Sequence, residues 1–386
     1  MSPAANLFKS ISFLPALLLL AGHGPAQPAT GPVSAVRLTL DVQANAALAQ
    51  EVRANLAALQ AKLRGQLCYS LTKDAPLLQR PEKCHRGPEG HADLDSALAV
   101  VQVVVLRESL VHRLVVSHPA QFEQPWAVGS ISKTVLAVPI LARAGASEKE
   151  PWCIESLPGL RNANGSTGDS GCGGPNAQTI SAASAIAHSN NLATIWRLRK
   201  LAAKEVTAEL ESAGLKRIPG DYHPGIAIAL GMLELSPRQT LECFDALVSG
   251  SAKRAAITLY AKAAPSAMAR WCEENTKAPA ARAFTRAMLQ APGQAGGTAN
   301  FIRSELKPAL LLGSKTGTPT NDETQDTGKS IVFAFALPHG RYSALISIVS
   351  PRPSWPLGFN LVTKDLLPLV RAVIRDAQKH DLPSQR

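Results

Sequence analysis

The spacing of hydrophobic and polar residues along the chain separates strand-like segments from helical ones. Alternating or continuous apolar runs predict strands at residues 36–40, 97–106, 110–117, 309–318, 331–337 and 342–349. Apolar residues spaced three and four apart predict helices after Asp41, after Gly129 with a kink at Pro139, within 178–214, within 224–290 and over 361–377. Strands towards both ends with a helical middle indicate one α+β domain, in which terminal helices cover one sheet.

The N-terminal segment has the pattern of a signal peptide. Lys9 precedes the apolar run 11–21, and small residues follow it. A bilayer span needs roughly 20 apolar residues, so this run is too short to cross a membrane. We expect residues 1–29 to be a signal peptide, cleaved after Ala26 or Ala29, and the mature protein to be exported to the periplasm. An uncleaved segment that anchors the protein to the membrane is the alternative.

Composition and charge limit the classes of partner. Apolar residues make up 46% of the 386 residues and charged residues 18%, so the chain can bury a core and is not globally disordered. The formal net charge of +11 favours anionic partners, such as a carboxylate-bearing polymer. Because an exported protein does not meet nucleic acid, we expect no nucleic-acid partner.

The six cysteines suit an oxidising compartment. They allow 15 disulfide connectivities, and local spacing favours pairing in sequence order: Cys68–Cys84, Cys153–Cys172 and Cys243–Cys272. Metal binding is the rival interpretation, but the chain has no C-x-x-C and no cluster of histidines at zinc-ligand spacing. We therefore expect disulfides and no metal.

A Ser-x-x-Lys motif occurs at three places, and its context separates them. Ser70 lies in a Pro-rich loop beside a cysteine, and Ser304 comes after the Ser-x-Asn motif at Ser189 and eleven residues before Lys315, so the expected order of motifs fails. Ser130 follows a glycine at the start of an apolar helix. Positions i and i+3 share one helix face, so Lys133 can reach the Ser130 hydroxyl, and a helix N-terminus favours developing negative charge.

Two further motifs follow Ser130 in order. Ser189-Asn190-Asn191 lies between two helical stretches, and Lys315-Thr316-Gly317-Thr318 ends a strand-like run. Taken singly, each motif has an ordinary explanation as a helix cap, a turn or a strand end. An ordered set of three, each on a suitable element, is far more specific than any one of them.

This ordered set resembles the transpeptidase domain of penicillin-binding proteins, within the wider group of serine acyltransferases that includes the serine β-lactamases. VRLTLD near residue 36 resembles the start of that domain, and PGIAIALGMLELSPRQTLECFDALVSG, ending at Gly250, resembles its segment with a glycine turn before a helix. The resemblance covers about residues 35–380. It implies an α+β fold with an antiparallel sheet, N- and C-terminal helices covering it, and a helical subdomain.

The resemblance also implies roles for the motif residues. Ser130 would be the nucleophile of an acyl-enzyme, Lys133 its base, and Ser189 a proton relay to the leaving group. Thr318 would offer its backbone N–H, together with that of Ser130, as an oxyanion hole.

The remaining motif residues would bind substrate. Asn191 would hydrogen-bond the substrate amide. Lys315 and Thr316 would bind its carboxylate, and Gly317 would let the strand approach closely. Other residues are interpreted as structural: His188, Trp126, Trp152 and Trp271. No organic cofactor or metal is implied.

The implied activity is that of a penicillin-sensitive D,D-transpeptidase or D,D-carboxypeptidase that acts on peptidoglycan stem peptides, with β-lactams as covalent inhibitors. The stretch after Thr318 lacks the Asp-x-Trp-Phe pattern associated with bifunctional members, and no glycosyltransferase region precedes the domain. Glycan strands would then come from a separate glycosyltransferase.

Two alternatives stay open: a class D-like β-lactamase with a modified lysine, and a catalytically weak scaffold of the cell-wall machinery. A class A β-lactamase would need Glu-x-x-x-Asn between the second and third motifs, and that spacing is absent.

Overall fold

A computed structural model describes the chain in ordered segments. These are residues 43–55, 57–58, 100–107, 110–116, 125–155, 172, 177–215, 222–250, 266–305, 311–318, 331–337, 342–349 and 363–381. The predicted signal peptide, the predicted strand 36–40, and Cys68 and Cys84 lie outside the described residues.

A five-stranded sheet lies at the centre of the described structure. Its strands run in the order β2-β1-β9-β8-β7, and every neighbouring pair is antiparallel. Its members are β1 (Val100–Arg107), β2 (Leu110–Val116), β7 (Gly313–Gly317), β8 (Ile331–Leu337) and β9 (Tyr342–Val349). Strands from the two ends of the sequence pair at its middle, so one sheet unites both halves of the chain.

Helices make up most of the segment between β2 and β7. They are α2 (Val138–Arg143), α3 (Ala182–Ala187), α4 (Asn191–Leu198), α5 (Ala203–Ser212), α6 (Pro224–Leu230), α7 (Pro237–Ser249), α8 (Ala267–Asn275) and α9 (Pro279–Gln290). Short 3₁₀ turns follow α9 at Ala291–Gly293 and Asn300–Ser304. Two small antiparallel sheets lie within this region, β3 (Trp126–Ala127) with β6 (Glu234–Leu235) and β4 (Pro151–Cys153) with β5 (Thr179–Ser181).

Two hydrophobic cores lie on opposite faces of the sheet. Successive side chains of a strand point to opposite faces, and along β8 Ala334 and Ala336 belong to the core shared with the central helices, whereas Phe333 and Phe335 belong to the other. That second core is completed by α1 (43–55) and α10 (Leu367–Asp381). The prediction of an antiparallel sheet covered by terminal helices is therefore confirmed.

Element boundaries follow the predictions closely at β8 and β9 and less closely elsewhere. Within the predicted strand 309–318 the structure has β7 at Gly313–Gly317, and residues 309–310 lie outside the described residues. The predicted helix 361–377 starts later, after a 3₁₀ turn at Thr363–Leu366. Pro368 lies in its first turn, where proline needs no N–H partner.

Two predicted disulfides are present. Cys153 is bonded to Cys172, and Cys243 is bonded to Cys272. The first joins the end of β4 to Cys172, and the second joins α7 to α8. No cysteine in the described segments is free.

None of the described helices combines the length and apolar character needed to span a membrane.

Candidate active site

The Ser130-Lys133 motif forms the start of an irregular helix. Gly129–Ile131 is a 3₁₀ turn, Lys133–Ala137 is π-helical, and only Val138–Arg143 is a regular α-helix. The predicted helical stretch after Gly129 is therefore present, and Pro139 lies directly after its π-helical turn, at the second position of the α-helical part. Lys133 Nζ lies 2.7 Å from Ser130 Oγ, so the spacing still brings the amine to the hydroxyl.

Two glycines hold this turn against α6. Gly129 and Gly231 both have positive φ, 58° and 74°. The Gly129 N–H donates to the Gly231 carbonyl oxygen at 3.2 Å. A Cβ on Gly231 would lie 2.1 Å from the carbonyl carbon of Gly129, so only glycine permits this contact.

The buried hydroxyl of Ser132 connects the same two segments. Its Oγ lies 2.7 Å from the Gly129 carbonyl oxygen and 2.5 Å from that of Ile228. Ser132 and Gly231 belong to none of the sequence motifs, because their function depends on a contact between segments far apart in the chain.

We expect Gly231→Ala to damage the site far more than Gly145→Ala. Both glycines have positive φ, which costs an alanine about 1–2 kcal/mol of stability. A Cβ on Gly145 meets nothing within 4 Å, whereas one on Gly231 collides with Gly129, which adds about 1–3 kcal/mol of overpacking. Urea unfolding of the two variants measures the difference. Equal losses in the two variants would contradict the proposed support of Ser130.

The Ser189 turn lies between α3 and α4. Ser189 is the only non-glycine residue with positive φ in the described segments, at 54°, and it is buried. Such strain is concentrated at functional sites in proteins. Asn190 caps α4 by accepting the Ala193 N–H at 2.8 Å, and Asn191 is the first residue of that helix, partly exposed.

Lys315 connects this turn to β7. Its Nζ donates to Ser189 Oγ at 3.1 Å and to the Thr316 carbonyl oxygen at 2.7 Å. The second and third motifs, which are far apart in sequence, therefore meet directly.

The third motif also approaches the first. A Cβ on Gly317 would lie 2.7 Å from the Val128 carbonyl oxygen and 2.8 Å from Ile131 Cγ1. Strand β7 therefore passes directly beside the turn that carries Ser130. Thr316 is buried at this end of the strand, whereas Thr318 is exposed.

Burial alters the proton affinity of both lysines, each of which is fully buried. Burial, and then the charge of Lys315, lower the pKa of Lys133 well below its usual value. Burial alone lowers the pKa of Lys315 to about 7. The site therefore holds an amine at Ser130 that can be neutral, beside a second amine that changes charge near neutral pH.

The other residues named from the sequence lie away from this cluster or pack in cores. Ser304 is exposed on a 3₁₀ turn, where its hydroxyl bonds to Phe301 and Glu305, and Ser70 lies outside the described residues. Trp152 and Trp271 are buried in the helical core, Trp126 packs against it, and His188 is exposed. Within the described ranges, no group of three or more His, Cys, Asp or Glu side chains could hold a metal ion.

Solved structures with a similar fold exist. The apo TP domain of penicillin-binding protein 3 from Burkholderia pseudomallei matches with a TM-score of 0.58 and 14% identity, over 92% of this chain and 100% of that one. A structure from Burkholderia ambifaria described as a peptidoglycan glycosyltransferase matches with a TM-score of 0.59 and 14% identity, over 89% and 98%. No protein-family model and no curated protein sequence matches the chain.

These comparisons establish the fold. The chain has the fold of penicillin-binding-protein transpeptidase domains, and the fold-class prediction is confirmed. At 14% identity the likeness carries no residue roles.

Proposed function

We propose that this protein is a penicillin-sensitive serine D,D-transpeptidase or D,D-carboxypeptidase acting on peptidoglycan stem peptides. One observation carries the proposal: the fully buried Lys133 amine lies 2.7 Å from the Ser130 hydroxyl. A nucleophile with a base at hydrogen-bond distance is the arrangement that covalent catalysis requires. The transpeptidase fold supports this proposal.

In the proposed acylation, Ser130 Oγ attacks the carbonyl carbon of the terminal D-alanyl–D-alanine bond. Neutral Lys133 takes the hydroxyl proton as the new bond forms. The N–H groups of Ser130 and Thr318 stabilise the oxyanion. The C–N bond then breaks, and Ser189 relays a proton to the leaving D-alanine nitrogen. The products are an ester on Ser130 and free D-alanine.

Charge at the third motif would select the substrate. Lys315 supplies a positive charge below its pKa of about 7, and Thr316 adds a hydroxyl for the same carboxylate. Asn191 would hold the amide of the substrate. The net charge of +11 is consistent with an anionic polymer as partner.

We further propose export to the periplasm, where a separate glycosyltransferase would make the glycan strands. The signal-peptide pattern and the two disulfides among the described cysteines support export.

A class D-like β-lactamase is the second candidate. The observation that favours it is the burial of Lys133, because a neutral, desolvated amine can also react with carbon dioxide to give a carboxylated lysine.

The test is to incubate the purified protein with an N-acylated Lys-D-Ala-D-Ala peptide and to measure D-alanine release, with and without prior treatment with fluorescent penicillin. The proposal expects release that penicillin blocks with one label per chain. No release and no label would exclude it, whereas label without release would favour the scaffold interpretation.

We expect the affinity for penicillin to fall as the pH rises above about 7. Lys315 is charged below its pKa and neutral above it, so the bond to the penicillin carboxylate loses its positive partner. Hydrogen bonds to charged groups are worth about 1.5–3 kcal/mol, which corresponds to about 10- to 100-fold in affinity. The limiting acylation rate should not fall, because Lys133 stays neutral at higher pH. A penicillin methyl ester is the control, and a similar decline for the ester would contradict the role of Lys315.

A further inference from the structure

The carbonyl of Val135, two residues after Lys133, lies where the α-helical hydrogen-bond pattern is interrupted. Pro139 has no N–H, so the carbonyl of Val135, four residues earlier, has no donor at the α-helical position. The chain is π-helical over Lys133–Ala137, and the Val138 N–H donates to the carbonyl of Lys133, five residues back. Single π-turns inside helices are often found at functional sites.

The Cys243–Cys272 disulfide packs on this carbonyl group. Cys243 Sγ lies 3.2 Å and Cys272 Sγ 3.8 Å from the Val135 carbonyl oxygen. A disulfide sulfur carries no proton, so these contacts are packing and not hydrogen bonds. Both cysteines and Val135 are fully buried, so the disulfide that joins α7 to α8 packs directly against the π-helical turn.

We propose that the Cys243–Cys272 disulfide is a positioning element of the acylation site, which holds the π-helical turn so that Lys133 stays aligned with Ser130 and shielded from water. This inference deepens the proposed function and rests on Lys133 acting as the base. It gives the Cys243–Cys272 disulfide a function beyond stability, and it gives no such function to the Cys153–Cys172 disulfide.

The chain offers a matched control. The Cys153–Cys172 disulfide closes a loop of similar length, with a sequence separation of 19 against 29. Chain entropy depends only weakly on loop length, so removing either bond should lower global stability by comparable amounts. Only the bond at Val135 should alter the chemistry of Lys133.

The experiment compares Cys243→Ala/Cys272→Ala with Cys153→Ala/Cys172→Ala. Both are checked for folding by circular dichroism, and the fluorescent-penicillin acylation rate is measured against pH. We expect about tenfold slower acylation near pH 7 in the first variant only, with the rise in rate displaced to higher pH. Loss of the two sulfurs leaves a cavity beside Val135, water reaches Lys133, and less of its amine is then neutral at pH 7.

A second variant tests the link to Pro139 and does not rely on absolute rates. Pro139→Ala restores an N–H that can bond to the Val135 carbonyl, so the turn should depend less on the disulfide. We expect the Cys243→Ala/Cys272→Ala change to slow acylation less in the Pro139→Ala background than in the parent. Equal effects in both backgrounds would overturn the proposal, because independent sites behave additively.

Hydrogen exchange at the Val138 N–H separates this proposal from the proposed function. Both variants should lose the protection that follows global stability, and the bond of this N–H to the Lys133 carbonyl should lose clearly more in the Cys243→Ala/Cys272→Ala variant than in the Cys153→Ala/Cys172→Ala variant. If the parent protein is never labelled by penicillin, the proposed function fails. The exchange measurement alone then tests whether the Cys243–Cys272 disulfide holds the π-helical turn. Equal protection in the two variants overturns the positioning role.

Discussion

Ser130→Ala is expected to abolish covalent labelling by fluorescent penicillin. The variant removes the only hydroxyl that the described structure places at hydrogen-bond distance from Lys133 Nζ. A covalent ester cannot form without the attacking oxygen, so the label should fall to background and not merely form more slowly. Gel fluorescence and peptide mass spectrometry of the parent, with the modified peptide containing Ser130, are the measurements.

Ser304→Ala is the matched control, because Ser304 also begins a Ser-x-x-Lys motif. Its hydroxyl is exposed and bonds to Phe301 and Glu305, so the variant should label like the parent. Lys133→Ala should keep the nucleophile and lose the base, with acylation slower by about 10²–10⁴. Labelling that survives Ser130→Ala would remove the basis for the proposed function.

The local part of this site could be predicted from sequence. The i, i+3 spacing placed Lys133 beside Ser130, and that contact survives even though the turn is 3₁₀ and π-helical. The fold class followed from the order of strands and helices, because strand and helix periods differ. The apolar runs at β8 and β9 gave correct bounds because both strands are buried and continuous.

The long-range part could not be predicted from periodicity. The bond between Lys315 and Ser189 joins residues 126 positions apart, and only the ordered motif set suggested that they meet. Ser132 and Gly231 act through contacts with backbone atoms of another segment. The π-helical turn at Lys133–Ala137 could not be predicted from periodicity either, because it depends on Pro139 and on contacts with Cys243 and Cys272 of other helices.

The penicilloyl ester on Ser130 is expected to persist for minutes or longer. Hydrolysis of the ester needs a base that activates water, and the only base that the described structure places at Ser130 is Lys133, whose amine lies at the attacking oxygen Ser130 Oγ. In the described part of the chain, burial and Lys315 account for the lowered pKa of Lys133, with no carboxylate contributing. Lack of a positioned general base costs about 10²–10⁴ in rate. The measurement is retention of label after excess penicillin is removed.

Turnover of a chromogenic cephalosporin separates the wall enzyme from the class D-like β-lactamase. The proposed function expects one equivalent of product per chain and then negligible turnover, with or without bicarbonate. A carboxylated Lys133 would instead carry a carbamate oxygen able to activate water, and its formation would require carbon dioxide. Fast turnover that rises with added bicarbonate and disappears in Lys133→Ala would therefore show a β-lactamase and contradict the proposed transpeptidase. Negligible turnover that does not change with added bicarbonate supports the transpeptidase. The amine of Lys133 then remains unmodified, and no carbamate oxygen is present to activate water against the ester.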